Sequence, residues 1–151
     1  MGLAAVVASE EAQVATLRAF LSFDPAFQQL NRQLADEGHL AGYGDLVYSA
    51  FDIALRRRLG SAPPDADIVR LVASLRISLR EQQIELDPLA MEHIIRPAFS
   101  GTTSGQYDDR TRADIMLFVL GQLIFDEDLD DTGLEDFLVM ARAMVARRRR
   151  G

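Results

Sequence analysis

The sequence predicts an all-α fold, a compact orthogonal or up-down bundle of six to seven helices. Apolar residues recur at spacings of three and four along most of the chain, which is the period of an amphipathic helix. Asp24-Pro25 and Asp87-Pro88 each precede such a run, where Asp accepts from free N–H groups and Pro fits the first turn. Thr132-Gly133-Leu134-Glu135 has the spacing of a capping box and precedes a third run.

Three helices are predicted before residue 60. The first covers residues 4–21, with Val14, Leu17 and Leu21 on one stripe. The second follows Asp24-Pro25 and ends at Gly38, where the chain needs a positive φ. Residues 39–44 are predicted as a loop, and the third helix begins near Asp45 and ends before Gly60.

Two helices are predicted between residues 65 and 97. The fourth begins at Asp65 or Asp67, and its spacing predicts one buried stripe, formed by Ile68, Leu71, Val72, Leu75 and Leu79. The fifth begins at Asp87-Pro88, and Pro97 should kink or end it. Its predicted apolar residues are Leu89, Met91, Ile94 and Ile95.

The last two helices are predicted at residues 109–125 and 132–150, after a connection at 100–106 rich in Gly, Ser and Thr. Residues 115–120 are apolar on every side, which is typical of a central helix. We expect the sixth and seventh helices to form an antiparallel hairpin, with the fourth helix packed against them.

At 151 residues the chain is expected to form a single domain, 1–151. Two Asp-Pro helices, each followed by a Gly-containing loop, leave open a pseudo-repeat with halves 1–60 and 65–151. Residues 147–151 are predicted to be a frayed, Arg-rich tail.

The composition excludes several classes of site and disfavours some partners. The chain has no Cys, which excludes disulfides, zinc–thiolate sites and iron–sulfur clusters. The net charge of −7 disfavours nucleic acid as a partner.

The longest apolar run is far below the about 20 residues of a membrane span, so we expect no association with a membrane and a cytoplasmic location. Every basic residue is Arg, which suggests a bacterial genome rich in GC.

The acidic run 126–131 is the strongest resemblance to a metal site. Asp126, Asp128 and Asp130 imitate the start of a calcium loop. The sixth position has Asp131 where Gly is needed, and the twelfth has Phe137 where Glu is needed. We therefore interpret the run as a solvated turn, and we predict no metal and no cofactor.

Other single motifs also favour a structural interpretation. His93 invites comparison with a haem ligand, but no distal polar group accompanies it, so we expect a hydrogen-bonded structural His. Gly42-Tyr43-Gly44 lacks the third Gly of a dinucleotide-binding fingerprint, and Asp45 would repel an anion there. The 100–105 segment lacks the Lys of a phosphate-binding loop, and no strand precedes either segment.

Two further features bear on function. The block Arg147, Arg148, Arg149 and Arg150 is either a helix end in solvent or an arm that docks on an acidic surface, such as 126–131 of another copy. An apolar pocket between helices is an alternative use of five residues near the predicted centre: Phe118, Phe125, Phe137, Met140 and Met144.

No catalytic constellation emerges from these patterns. The leading hypothesis is a non-enzymatic protein–protein interaction or regulatory module, which binds a protein partner or itself. The density of apolar residues in the last two helices favours a homodimer. The alternative is a small-molecule binding protein with the apolar pocket named above, and an enzyme that uses scattered Arg and carboxylate residues ranks last.

Overall fold

The computed structural model describes residues 3–101 and 105–150, and the side chains of residues 8–101 and 105–150. In these ranges the chain forms helices and no strand, which confirms the predicted all-α class. Seven helices correspond to the predicted ones, and an eighth is a single turn after Pro97. They are α1 (Leu3–Leu21), α2 (Phe27–Asp36), α3 (Leu40–Leu59), α4 (Asp65–Glu81), α5 (Pro88–Ile95), α6 (Pro97–Ser100), α7 (Asp109–Glu127) and α8 (Asp131–Arg150).

The helices group into two compact units. Unit 1 consists of Met1–Ala50 and Asp128–Gly151, and unit 2 of Phe51–Glu127. Both chain ends belong to unit 1 because α8 packs on α1. These boundaries differ from the suggested halves 1–60 and 65–151, and the single domain stays a prediction. Residues 102–104 of the predicted connection lie outside the described residues.

Unit 1 is built on α1, which packs against both α2 and α8. The predicted stripe of α1 is confirmed, because Val14, Leu17 and Leu21 are all buried. From α8, Phe137 and Leu138 are fully buried or nearly so. Apolar side chains spaced at the helical period thus form the core of this unit.

The two ends of α2 follow the predicted chemistry, with one shift. Oδ1 of Asp24 accepts from the backbone N–H of Ala26 at 2.9 Å, but the regular helix begins three residues after Asp24, at Phe27. At the other end Gly38 has a φ of +76°, and the N–H of His39 donates to the carbonyl of Leu34 at 2.8 Å. This bond closes a helix C-terminus of the predicted type.

The predicted loop at 39–44 is wrong, because α3 begins at Leu40. Tyr43 is buried, and its burial holds this segment in the helix despite the two flanking glycines. Gly42 has a packing role: a Cβ there would lie 2.4 Å from Nε2 of Gln13 on α1. Gly42 thus permits the close approach of α1 and α3.

The buried hydroxyl of Tyr43 gives a prediction about stability and pH. This hydroxyl has no hydrogen-bond partner among the described residues, and burial raises the pKa of Tyr43 well above its ordinary value. Tyr43→Phe removes a desolvated polar group, so we expect the free energy of unfolding at pH 7 to stay unchanged or rise by about 1 kcal/mol.

The sign of the pH effect follows from the raised pKa. Above about pH 10 the unfolded chain loses the Tyr43 proton while the folded chain keeps it, so wild type loses stability as pH rises. Urea unfolding at pH 7 and in this alkaline range measures the loss, which should be smaller in Tyr43→Phe. Tyr48→Phe, on the same helix, is the matched control. An equal alkaline loss in wild type and Tyr43→Phe would contradict the prediction.

Unit 2 is organised around α4, which packs on α5 and α7. All five residues of the predicted α4 stripe are buried, which confirms that stripe. The contact of α4 with α7 also confirms that the predicted fourth and sixth helices pack together. The predicted hairpin would join α7 of unit 2 to α8 of unit 1 and stays a prediction.

Helix α5 begins and ends as the sequence predicts. Oδ1 of Asp87 accepts from the N–H of Leu89 at 3.3 Å, and the helix ends at Ile95, just before Pro97. Of the apolar residues named for this helix, Met91, Ile94 and Ile95 are buried, whereas the Leu89 side chain is 56% exposed. It lies about 200° around the helix from the buried Met91, and therefore on the opposite face.

The predicted capping box of the last helix is wrong. Helix α8 begins at Asp131, and its cap is Asp130, whose Oδ1 accepts from the N–H of Gly133 at 2.7 Å. Glu135 instead forms an ion pair with Arg18 of α1, with an Nη2–Oε2 distance of 3.0 Å. This hydrogen bond lowers the pKa of the Glu135 carboxyl. A partner distant in sequence thus replaced the local cap.

Within the described ranges, none of the helices is long and apolar enough to cross a membrane.

Candidate functional site

The most distinctive surface of unit 2 is a second apolar stripe on α4, which sequence analysis missed. Val69, Ala73 and Ile77 are exposed although α4 already buries five other apolar residues. Val69 is 48% exposed and Ile77 is 63% exposed. Their spacing of four places all three within about 40° of Ala73 on the helix surface. The i, i+4, i+8 spacing of these three residues could have indicated a second apolar face on α4. It was overlooked because the buried stripe of the same helix is the stronger pattern.

A shallow groove of about 350 Å³ runs between this stripe and the start of α5. Its apolar part comes mainly from α4 together with Pro88, and its polar rim carries two guanidinium groups and one carboxylate. The lining residues are Val69, Val72, Ala73, Arg76, Ile77, Arg80, Pro88 and Glu92. We call the exposed stripe and this groove the α4 face.

Charged side chains of α4 border the α4 face near both ends of the helix. Asp65 and Asp67 lie in the first turn of α4, and Arg76 and Arg80 lie toward its end. This order offsets the helix macrodipole at both ends. Asp65 forms an ion pair with Arg96, and Nε of Arg80 lies 3.0 Å from Oε1 of Glu85. The Asp65 and Arg80 side chains nevertheless remain largely exposed, so each has room for another partner.

Two of the three acidic residues that resembled a calcium loop, Asp126 and Asp130, have partners within the protein. Asp126 accepts from Nε2 of Gln122 at 2.8 Å and lies 3.5 Å from Nη1 of Arg58. Asp130 caps α8, and Asp128 has a φ of +51°. Among the described residues, no group of three or more His, Asp or Glu side chains is arranged to hold a metal ion.

The predicted frayed tail is the end of α8, which is helical as far as Arg150. Arg148 lies over the ring of Tyr48 of α3, with Cζ 4.4 Å from the ring centroid. Arg149 lies 3.8 Å from Oε1 of Glu10 and 3.6 Å from Oδ2 of Asp45. These two arginines contact their own chain, whereas docking on another copy's acidic run stays a prediction.

The proposed apolar pocket stays a prediction, and its five residues are divided between the two units. Phe118 and Phe125 belong to unit 2, and Phe137, Met140 and Met144 belong to unit 1. Phe125 is 58% exposed and Met140 is 48% exposed, while Phe137 is fully buried as part of the core. The groove on α4 and the two cavities of unit 1 have other lining residues.

His93 has the structural environment expected for it. Its Nδ1 lies 3.0 Å from the hydroxyl of Tyr107, and the two rings are 6.0 Å apart. This contact lies between α5 and the segment before α7, and it ties that segment to α5.

Comparison with known proteins returned no matching family model, no matching curated protein and no matching solved structure.

Proposed function

We propose that this chain is a non-enzymatic protein-interaction module that binds through the α4 face, and that its partner is a second copy. The exposed stripe of Val69, Ala73 and Ile77 carries this proposal. Three apolar side chains in a row on one helix are a typical anchor for a helix from a partner protein.

Charge complementarity supports a second copy as the partner. When two α4 helices pair antiparallel about a two-fold axis at Ala73, Val69 of one copy meets Ile77 of the other. In the same register Asp65 is level with Glu81 of the second copy, which lies on the opposite flank, and one residue away from Arg80, which lies on its own flank. The symmetry repeats this opposite-charge contact between Asp65 and Arg80. Arg70 and Arg76 come to the same level along the helices but lie on opposite flanks of the stripe, which limits their repulsion.

The small size of the stripe predicts weak association. Each copy contributes three apolar side chains and the adjoining groove, which are far fewer residues than the roughly 20–30 per partner of a standard interface. We therefore expect a dissociation constant in the micromolar range, so the dimer should dissociate on dilution.

Ile77→Asp is the variant that tests the α4 face. A carboxylate at this position would have to be desolvated against the apolar Val69 of the second copy in the dimer, which costs several kcal/mol. We expect wild type to approach twice the mass of one chain at roughly 500 µM, and Ile77→Asp to remain a monomer. Light scattering or analytical ultracentrifugation over a concentration series measures both.

Val139→Asp is the matched control, because Val139 is equally exposed but lies on α8. It should associate like wild type. A monomeric wild type at the highest concentration, or equal loss of association in both variants, would refute the proposal.

A further inference from the structure

Unit 1 contains two adjoining cavities beside the end of α8 that the proposed function does not use. The first, of about 400 Å³, lies among α1, α3 and α8. The second, of about 270 Å³, lies between α3 and α8. Val145 and Arg149 line both, so the two cavities meet at these residues.

The smaller cavity contains an unsatisfied hydroxyl beside two guanidinium groups. Ser49 lines this cavity and is fully buried, and its Oγ has no hydrogen-bond partner in the described part of the chain. A buried polar group without a partner costs about 1–3 kcal/mol and so indicates a missing one. Arg148 and Arg149 line the same cavity. These three residues offer hydrogen-bond donors, with Asp45 as the carboxylate in the wall.

The ion pairs around the larger cavity are loose. Arg142 and Arg149 each approach Glu10 no closer than 3.8 Å, and Arg149 lies 3.6 Å from Asp45. These distances exceed a hydrogen bond, whereas Arg57 and Glu127 in unit 2 are 2.7 Å apart. Guanidinium donors on this rim are therefore open to another acceptor.

The wall of the larger cavity is partly apolar and partly shaped by a glycine. Val14, Leu46, Val145 and Ala146 supply apolar surface. Gly42 also lines it, and a side chain at this position would press on the Gln13 amide. That amide makes only long hydrogen bonds, 3.3 Å to Ser9 and 3.4 Å to the carbonyl of His39.

We propose that these cavities bind a small organic anion. Its carboxylate or phosphate head accepts from Arg149 and from the Ser49 hydroxyl, and its short apolar body lies along the apolar wall of the larger cavity. Charge-assisted hydrogen bonds supply the affinity of the head, and burial of the body adds to it. The anion competes with Asp45 and Glu10 for Arg149. Because the ion pairs of Arg149 with these two carboxylates are longer than hydrogen bonds, little free energy is lost when the anion replaces them.

Titration of the full chain with four probes tests this site by NMR chemical shifts and calorimetry. The probes are hexanoate, hexyl phosphate, acetate and hexylammonium. We expect saturable binding of hexanoate or hexyl phosphate, at least about fivefold tighter than acetate, and no saturable binding of hexylammonium. The tighter of the two six-carbon anions identifies the head group.

Two variants and one control locate the binding. Arg149→Gln should weaken the six-carbon anion about tenfold, since a charge-assisted hydrogen bond is lost. Ser49→Ala, a small change in a buried position, should weaken it about threefold. Arg147→Gln removes the same charge from a residue that does not line either cavity and should bind like wild type.

Three results would overturn the site: no saturable binding of either six-carbon anion, acetate binding as tightly as hexanoate, or equal weakening by Arg147→Gln and Arg149→Gln. Thermal melts test whether each variant is folded. If Arg149→Gln is unfolded, the affinity of Ser49→Ala for the six-carbon anion tests the site in its place.

Discussion

Phe137→Ala should lower the free energy of unfolding by about 3–5 kcal/mol. Phe137 is fully buried in unit 1, on the face of α8 that also buries Leu138 and Ala141. Removing the ring loses its burial and leaves a cavity that the neighbouring helices fill only in part. This is the largest stability effect that we expect from one substitution in α8.

Urea unfolding followed by circular dichroism at pH 7 measures this loss. Val139→Ala is the matched control, because Val139 lies two residues further along the same helix and is exposed. It should change the free energy of unfolding by no more than about 0.5 kcal/mol. A Phe137→Ala protein within about 1 kcal/mol of wild type would show that α8 does not complete the core of unit 1.

The buried stripes could be predicted because the helical period alone decides which residues share a face. The α4 stripe from Ile68 to Leu79 is the clearest case. The helical period does not show whether another helix packs on a given face. The exposure of Ile77 and Leu89 could therefore not be predicted from it. The start of α3 escaped prediction for a related reason: Tyr43 is buried by contacts that its local sequence does not specify.

The candidate sites depend still more on contacts distant in sequence. From the sequence, Arg149 was assigned either to a helix end in solvent or to an arm that docks on an acidic surface, and no partner within its own chain was indicated. In the structure it lies beside Glu10 and Asp45, more than one hundred residues away in the chain. Ser49 gave no signal at all, because an unsatisfied hydroxyl can be recognised only when its neighbours are known.

An engineered disulfide tests the register of the α4 pairing. The chain has no Cys, so Ala73→Cys supplies one thiol per copy. Antiparallel pairing centred on Ala73 brings the two thiols together at the two-fold axis, within the about 4.4–6.8 Å between Cα atoms that a disulfide spans. Ala66→Cys, exposed on the same side of α4, is the matched control, since antiparallel pairing separates its two copies by about 21 Å along the helices.

The most direct measurement is therefore the yield of covalent dimer after mild oxidation of the two Cys variants at equal concentration. Antiparallel self-association through the α4 face predicts that most of Ala73→Cys becomes dimeric while Ala66→Cys stays monomeric. Equal yields from the two variants, or no covalent dimer from Ala73→Cys, would contradict it.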